Sequence, residues 1–238
     1  MPDAVRAELA PAGRLRAALN FGNTLLISTR GADPTGIAPD LARELANRAG
    51  ASVELIGYPN AGLAADAVAT SSWDVAFIGA EPQRAGDITF SPAYVEIEAT
   101  YLVQPASTLR QIGDVDRDGV HIATAARAAY TLFLQRTLRR AALVEADGLP
   151  GAFDRFVEMK LDALAGLRPN LVENAAKIPG ARVLDGHFTS VQQAIGVPKS
   201  RTAAARYLES FVAEITTSGL LTSFIARHRV EGLSIVRR

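Results

Sequence analysis

The sequence contains no cysteine, so it offers no disulfide framework, no thiolate nucleophile and no zinc knuckle. It has no excess of either charge: 25 basic side chains stand against 25 acidic ones. Proteins that grip nucleic acid or an anionic membrane need a basic surface, so the balance speaks against both as partners. Lysine is nearly missing, at Lys160, Lys177 and Lys199 only, and arginine carries the rest of the positive charge. No apolar run reaches the roughly 18 residues of a membrane-spanning helix, so no direct membrane insertion is expected. Residues 1–16 also lack the apolar stretch of a secretory signal. The expected location is the periplasm if a signal segment has been removed, and otherwise the cytoplasm.

Catalytic and cofactor signatures are equally scarce. There is no glycine-rich phosphate loop and no Gly-x-Ser-x-Gly elbow. His121, His187 and His228 lie far apart, without the short spacings of metal ligands, so neither a metal nor a cofactor is expected. What is present is a chain of 238 residues, 48% of them apolar. At roughly 150 residues per domain this makes one large or two small domains, with ample material for a core.

Strand and helix signals alternate along the chain, which points to an α/β architecture. Residues 15–19 read as a first strand. Pro39 then opens a helix with Leu41, Leu45 and Ala49 on one face and Gly50 past its end, the usual placement of proline and glycine. Residues 52–56 and the short apolar run 75–78 read as strands, with a helix over 61–70 between them. Residues 94–103 begin with period-two alternation: Val95, Ile97 and Ala99 on one face, Glu96, Glu98 and Thr100 on the other. A second α/β series comes next, with strands at 120–124 and 142–145, and with Val183 and then 191–197 as returning strands. Helices are expected at 127–138, 152–159, 170–177, 202–217 and 220–228, before a basic tail of Val236 and two arginines; residues 161–165 read as a short segment of no assigned type.

The stretch from Trp73 to Tyr94 carries a resemblance. It combines Asp74 before an apolar strand, Arg84 at the end of a turn, and Phe90-Ser91-Pro92-Ala93-Tyr94. In this it resembles the family 3 extracellular solute-binding proteins, the substrate receptors of polar amino-acid ABC transporters. Further pieces fall in the same order: Gly13-Arg-Leu-Arg-Ala-Ala, Gly36-Ile-Ala-Pro-Asp-Leu-Ala, Leu161-Asp162-Ala163 and Gly196-Val-Pro-Lys199. The resemblance implies a two-lobed type 2 periplasmic-binding-protein fold with two hinge-strand crossings, near residues 97–103 and 183–188. Lobe 1 would comprise residues 1–102 and 187–238, and lobe 2 residues 103–186. It also implies a monomer that closes around a small carboxylate-bearing ligand and serves an ABC transporter membrane component.

The same resemblance places Arg84 where the ligand's carboxylate binds, a task suited to a planar guanidinium. Gly79 and Ala80 would offer backbone groups, in a turn about two residues shorter than usual. Asn20, Phe21 and Asn23 would line lobe 1, with the Phe21 ring as a flat apolar wall. In lobe 2 the candidates are Arg127 and Ala128, at a helix start suited to an anion, and Tyr130 just after them. One departure concerns the amino group. Where amino-acid receptors carry an acid for the ligand's amino group, this chain has Leu167 and Arg168. The expected ligand is therefore a small carboxylate whose amino group is absent or held differently, with Glu96, Glu98 or Asp162 as substitutes. Two alternatives belong to other classes: a cyclohexadienyl-dehydratase-like enzyme using Glu96, Glu98 or Glu173, and a cytoplasmic ligand-sensing domain.

Overall fold

The computed structural model describes residues 1–236, so Arg237 and Arg238 of the basic tail lie outside the described residues. Contacts divide the chain into two compact units, Met1–Glu96 with Gln192–Arg238, and Ile97–Val191. The first unit begins with α1 (Asp3–Leu9), β1 (Arg14–Asn20), α2 (Ile37–Ala49), β2 (Ser52–Tyr58), α3 (Ala61–Asp66), β3 (Val75–Gly79) and β4 (Ile88–Phe90). Strand β5 (Val95–Val103) carries the chain into the second unit. That unit holds β6 (His121–Ala125), α4 (Ala129–Thr137), β7 (Ala142–Ala146), α5 (Gly148–Glu158), β8 (Ala163–Leu167), α6 (Arg168–Ala175) and β9 (Arg182–Val183). Strand β10 (Thr189–Pro198) leads back, and α7 (Thr202–Thr217), α8 (Leu220–His228) and β11 (Ser234–Ile235) finish the first unit.

In the first unit β1 lies between β2 and β3, parallel to both, and β10 runs antiparallel to β3. The period-two pleat sorts the side chains. Leu15, Ala17, Leu19, Val75 and Phe77 face a core built with α2, α7 and α8. Ala18, Ala76 and Ile78 face the other way, onto Ala61 and Ala64 of α3 and onto Trp73. The Trp73 indole N–H is satisfied at 2.8 Å by the Ala64 carbonyl. Burial on both faces explains why β3 is an unbroken apolar run.

The second unit repeats the plan with β8, β6 and β7 in that order, mutually parallel where they pair. Helix α5 packs Ala152 and Phe156 against Ala123 of β6 and Leu164 of β8. Helix α4 reaches the opposite face, where the buried hydroxyls of Thr131 and Thr124 hydrogen-bond at 2.6 Å.

Several boundaries differ from the sequence reading, each for a local reason. Helix α2 starts two residues before Pro39, which occupies the first turn, where no backbone donor is needed. Its N-cap, Gly36, has φ 140°, and a Cβ there would lie 2.4 Å from the Leu26 carbonyl. The helix expected over 61–70 tightens into a 3-10 turn from Ala67. Helix α4 starts at Ala129 because Arg127 is left-handed, at φ 61°. Helix α5 starts at Gly148, with Pro150 in its first turn. The unassigned segment at 161–165 leads into β8, a fully buried strand whose apolar run has no period to betray it. The unanticipated α1 docks Val5 and Leu9 into the core.

One buried carboxylate ties the first unit together. Asp74 is fully buried and accepts from the Arg16 side chain twice at 3.0 Å, from the Arg16 backbone at 2.9 Å and from Arg201 at 2.8 Å. Arg201 also donates to the Glu8 carbonyl, and the Glu8 carboxylate caps α7 through the Ala204 N–H at 2.8 Å. Burial pushes the Asp74 carboxyl up, but the hydrogen bonds from Arg16 and Arg201 outweigh it and hold the group below the usual range. A depressed carboxylate stabilises fully above its unfolded value near pH 4, and that contribution is lost as pH falls through the folded value.

Asp74→Asn is therefore expected to cost about 3 kcal/mol at neutral pH, because it strands two guanidinium groups. It should also flatten the loss of stability below about pH 4; urea titrations across pH read both effects, and an unchanged midpoint contradicts the assignment. Tyr94 presents the opposite case, since its sealed hydroxyl has no partner among the described residues. Tyr94→Phe should raise stability by about 1 kcal/mol, and a lowered melting temperature would contradict this.

Candidate functional site

In open parallel sheets a crevice forms beyond the carboxyl ends of two strands whose connections leave for opposite faces. In the first unit that point lies between β1 and β3, since β1 runs on to α2 and β3 is entered from α3 on the other face. The residues past β1 and β3 are Asn20 (the last of β1), Phe21, Asn23, Gly79 (the last of β3), Ala80 and Arg84. The structure thus brings the first-unit candidates to one sheet edge.

Each is fixed by local chemistry. The Asn20 carboxamide accepts from the Gly22 N–H at 3.0 Å, and Asn23, itself buried, accepts from the Leu25 N–H at 3.2 Å in a side-chain turn. The Phe21 N–H extends the β1–β2 pairing by donating to the Tyr58 carbonyl at 2.9 Å. Its ring lies over Gly57, where a Cβ would sit 2.2 Å from two ring carbons. Ala80 donates to the Gln192 carbonyl at 2.8 Å, joining the turn after β3 to β10. Arg84 closes a 3-10 turn begun by Pro82, is buried, and donates from Nη1 to the Gly79 carbonyl at 2.6 Å.

The second unit has its own divergence point, between β6 and β8. Past β6 the chain turns sharply: Ala126 donates to the Ala146 carbonyl at 2.8 Å and Ala128 to the Ala125 carbonyl at 3.2 Å. Arg127 at the turn is exposed and held left-handed, and Ala128 supplies no side-chain cap to α4. Tyr130 is buried, and burial pushes its phenol above the usual range against a backbone hydrogen bond at Ala125. Past β8 stands Arg168, which donates to Glu98 at 2.6 Å and to the carbonyls of Leu184, at 3.4 Å, and Gly186. Glu98 also meets His187 Nδ1 at 3.3 Å. Asp162, another candidate acid, accepts from the His121 N–H at 2.8 Å. Both carboxylates are thus engaged within the unit.

A depression of about 430 Å³ lies at the other end of the first-unit strands, lined by Pro11, Ala12, Arg14, Arg16 and Ser52. Its arginines are already paired, Arg14 with Glu54 at 3.4 Å and Arg16 with Asp74. Among the described residues no three or more histidines and carboxylates cluster as a metal site, and no helix is long and apolar enough to cross a membrane.

The bacterial extracellular solute-binding proteins, family 3, match residues 26–229, most of the chain. The protein belongs to that family. No curated protein matches the sequence. Solved structures share the type 2 periplasmic-binding-protein fold. A mutant of ArgBP from T. maritima superimposes with a TM-score of 0.78 at 21% identity, covering 95% of this chain and 100% of that one. The ancestral amino acid-binding protein AncCDT-1, a precursor of cyclohexadienyl dehydratase, gives 0.77 at 19% identity, covering 93% and 97%. An amino acid ABC transporter substrate-binding protein from Streptococcus pneumoniae, bound to L-arginine, gives 0.74 at 19% identity, covering 99% and 100%.

Gln193 is a buried polar residue at the same edge that the sequence reading does not single out. Its signal is there: it has the parity of Ile195 and Val197, two apolar core residues of β10. For Phe21, the packing against Gly57 makes a direct prediction. Gly57→Ala should displace the ring and lower stability by about 1–3 kcal/mol in chemical denaturation, and a wild-type midpoint would refute the contact.

Proposed function

We propose that this family member is the solute-binding component of an ABC import system, working outside the cytoplasm as a monomer. In this reading the two compact units act as lobes that close around a small carboxylate-bearing solute, an amino acid or a related organic acid. The carrying observation is Arg84: a buried guanidinium at the diverging edge of β1 and β3, oriented through the Gly79 carbonyl. A guanidinium shielded from water binds a carboxylate more strongly than an exposed one, through two parallel charge-assisted hydrogen bonds. Asn20, Phe21, Asn23, Gly79 and Ala80 complete the first-unit surface, and Arg127, Ala128 and Tyr130 are the second-unit counterparts. The pairing of Glu98 with Arg168 and His187 supports a solute that does not rely on that acid to hold an ammonium group.

The likeness to the structure bound to L-arginine supports the amino-acid end of this range. Catalysis on the same fold is the second reading, favoured by the likeness to a precursor of cyclohexadienyl dehydratase. Turnover of prephenate or arogenate in an absorbance assay would decide for it.

The test is a thermal-shift screen over amino acids and organic acids, followed by calorimetry. A solute at 100 times its dissociation constant adds about 2.7 kcal/mol of stability. Arg84→Lys, which keeps the charge but loses the planar fork, should weaken binding roughly ten- to a hundredfold. Tight binding of a standard L-amino acid that is indifferent to Arg84→Lys would overturn the assignment.

A further inference from the structure

A buried polar side chain is costly unless its hydrogen-bonding groups find partners. The protein obeys this rule at Asp74, Ser91, Thr100, Thr131, Asn174 and Thr216, each buried and each bonded. Gln193 is the exception. The residue is only 4% exposed, and its carboxamide makes no hydrogen bond to any described residue. It also differs from the sealed Tyr94 hydroxyl, whose residue has no accessible surface at all.

Its place in the sheet explains what such a group can do. In the antiparallel pairing of β10 with β3, Ile195 stands opposite Phe77 and Gln193 opposite Gly79. Side chains two apart share a face, so Gln193 continues the row of Val197 and Ile195 to the carboxyl end of β3. That is the level at which the Gly79 carbonyl holds Arg84 and the turn after β3 is pinned to Gln192. The amide therefore stands level with the carboxyl end of β3, where the Gly79 carbonyl holds the residue proposed to take the carboxylate. A residue this buried that leaves its carboxamide unpaired is uncommon, and a binding role is one reason to keep one.

We propose that Gln193 is a solute-binding residue, whose carboxamide completes its hydrogen bonds only on the solute held by Arg84. This rests on the solute-binding reading of the protein. A carboxamide donates through its NH₂ and accepts through its carbonyl. The fitting solute class is thus a carboxylate with a hydrogen-bond donor beside it, an α-amino or α-hydroxy acid. The neutral carbonyl of Gln193 would receive that donor in place of a charged acid.

The test uses the full chain and a panel of L-amino acids, 2-hydroxy acids and unsubstituted carboxylates. The panel compound that most raises the wild-type melting temperature is then titrated by calorimetry into wild type, Gln193→Met and Arg84→Lys. Methionine has nearly the volume of glutamine and no polar demand. Gln193→Met is expected to bind that compound about tenfold more weakly while melting no lower than wild type without it. Wild-type affinity in Gln193→Met alongside weakened binding in Arg84→Lys overturns the inference and leaves the solute-binding reading standing. A lowered melting temperature in Gln193→Met also overturns it, by showing that the amide serves the fold. If no panel compound stabilises the wild-type protein, the solute-binding reading itself fails, and the inference with it.

Discussion

The handedness of the strand crossovers decides where this protein can place a site. A right-twisted strand feeding a helix and then a parallel strand packs back onto the sheet in one hand only. Because β2 and β3 lie on either side of β1, their helices must cover opposite faces, which is where α2 and α3 are found. The chain must then part beyond Asn20 and Gly79. The same logic, with β7 and β8 on either side of β6, parts the second unit beyond Ala125 and Leu167. The candidates of the first unit lie past the carboxyl ends of β1 and β3, and those of the second past β6.

Arginine chemistry is the second organising theme, and it explains how a chain with no net charge keeps local fields strong. Several guanidinium groups answer the protein's own acids. Arg16 and Arg201 neutralise buried Asp74, and Arg168 neutralises Glu98 beside the segment that leads into β10. Arg84 donates from Nη1 to the Gly79 carbonyl, a backbone group of the edge itself. The planar fork suits both tasks: it satisfies several acceptors at once while its geometry stays fixed.

Much of this is legible in the sequence where a pattern has a period or a punctuation mark. The run Val75-Ala-Phe-Ile, the Leu41 and Leu45 stripe ended by Gly50, and the long helices α7 and α8 emerge close to their structural bounds. Strand β8 does not, because Ala163-Leu-Ala-Gly-Leu is buried on both faces and so carries no alternation. Helix α1 does not, because its docking rests on two apolar residues, Val5 and Leu9, too few to mark a stripe. The start of α4 escapes the sequence because nothing in the letters Ala126-Arg127-Ala128 announces a left-handed arginine. Arg84 is singled out through its motif; its burial, and the unpaired amide of Gln193 across from Gly79, depend on strand register and need coordinates.

Hydrogen–deuterium exchange, with and without the solute found by screening, puts the diverging edges to the sharpest test. Added protection is expected to concentrate at residues 20–24, 79–85 and 192–194, with a second focus at 126–130. Protection centred instead on residues 11–16 and 52, the depression at the opposite end of the strands, would contradict that placement of the site.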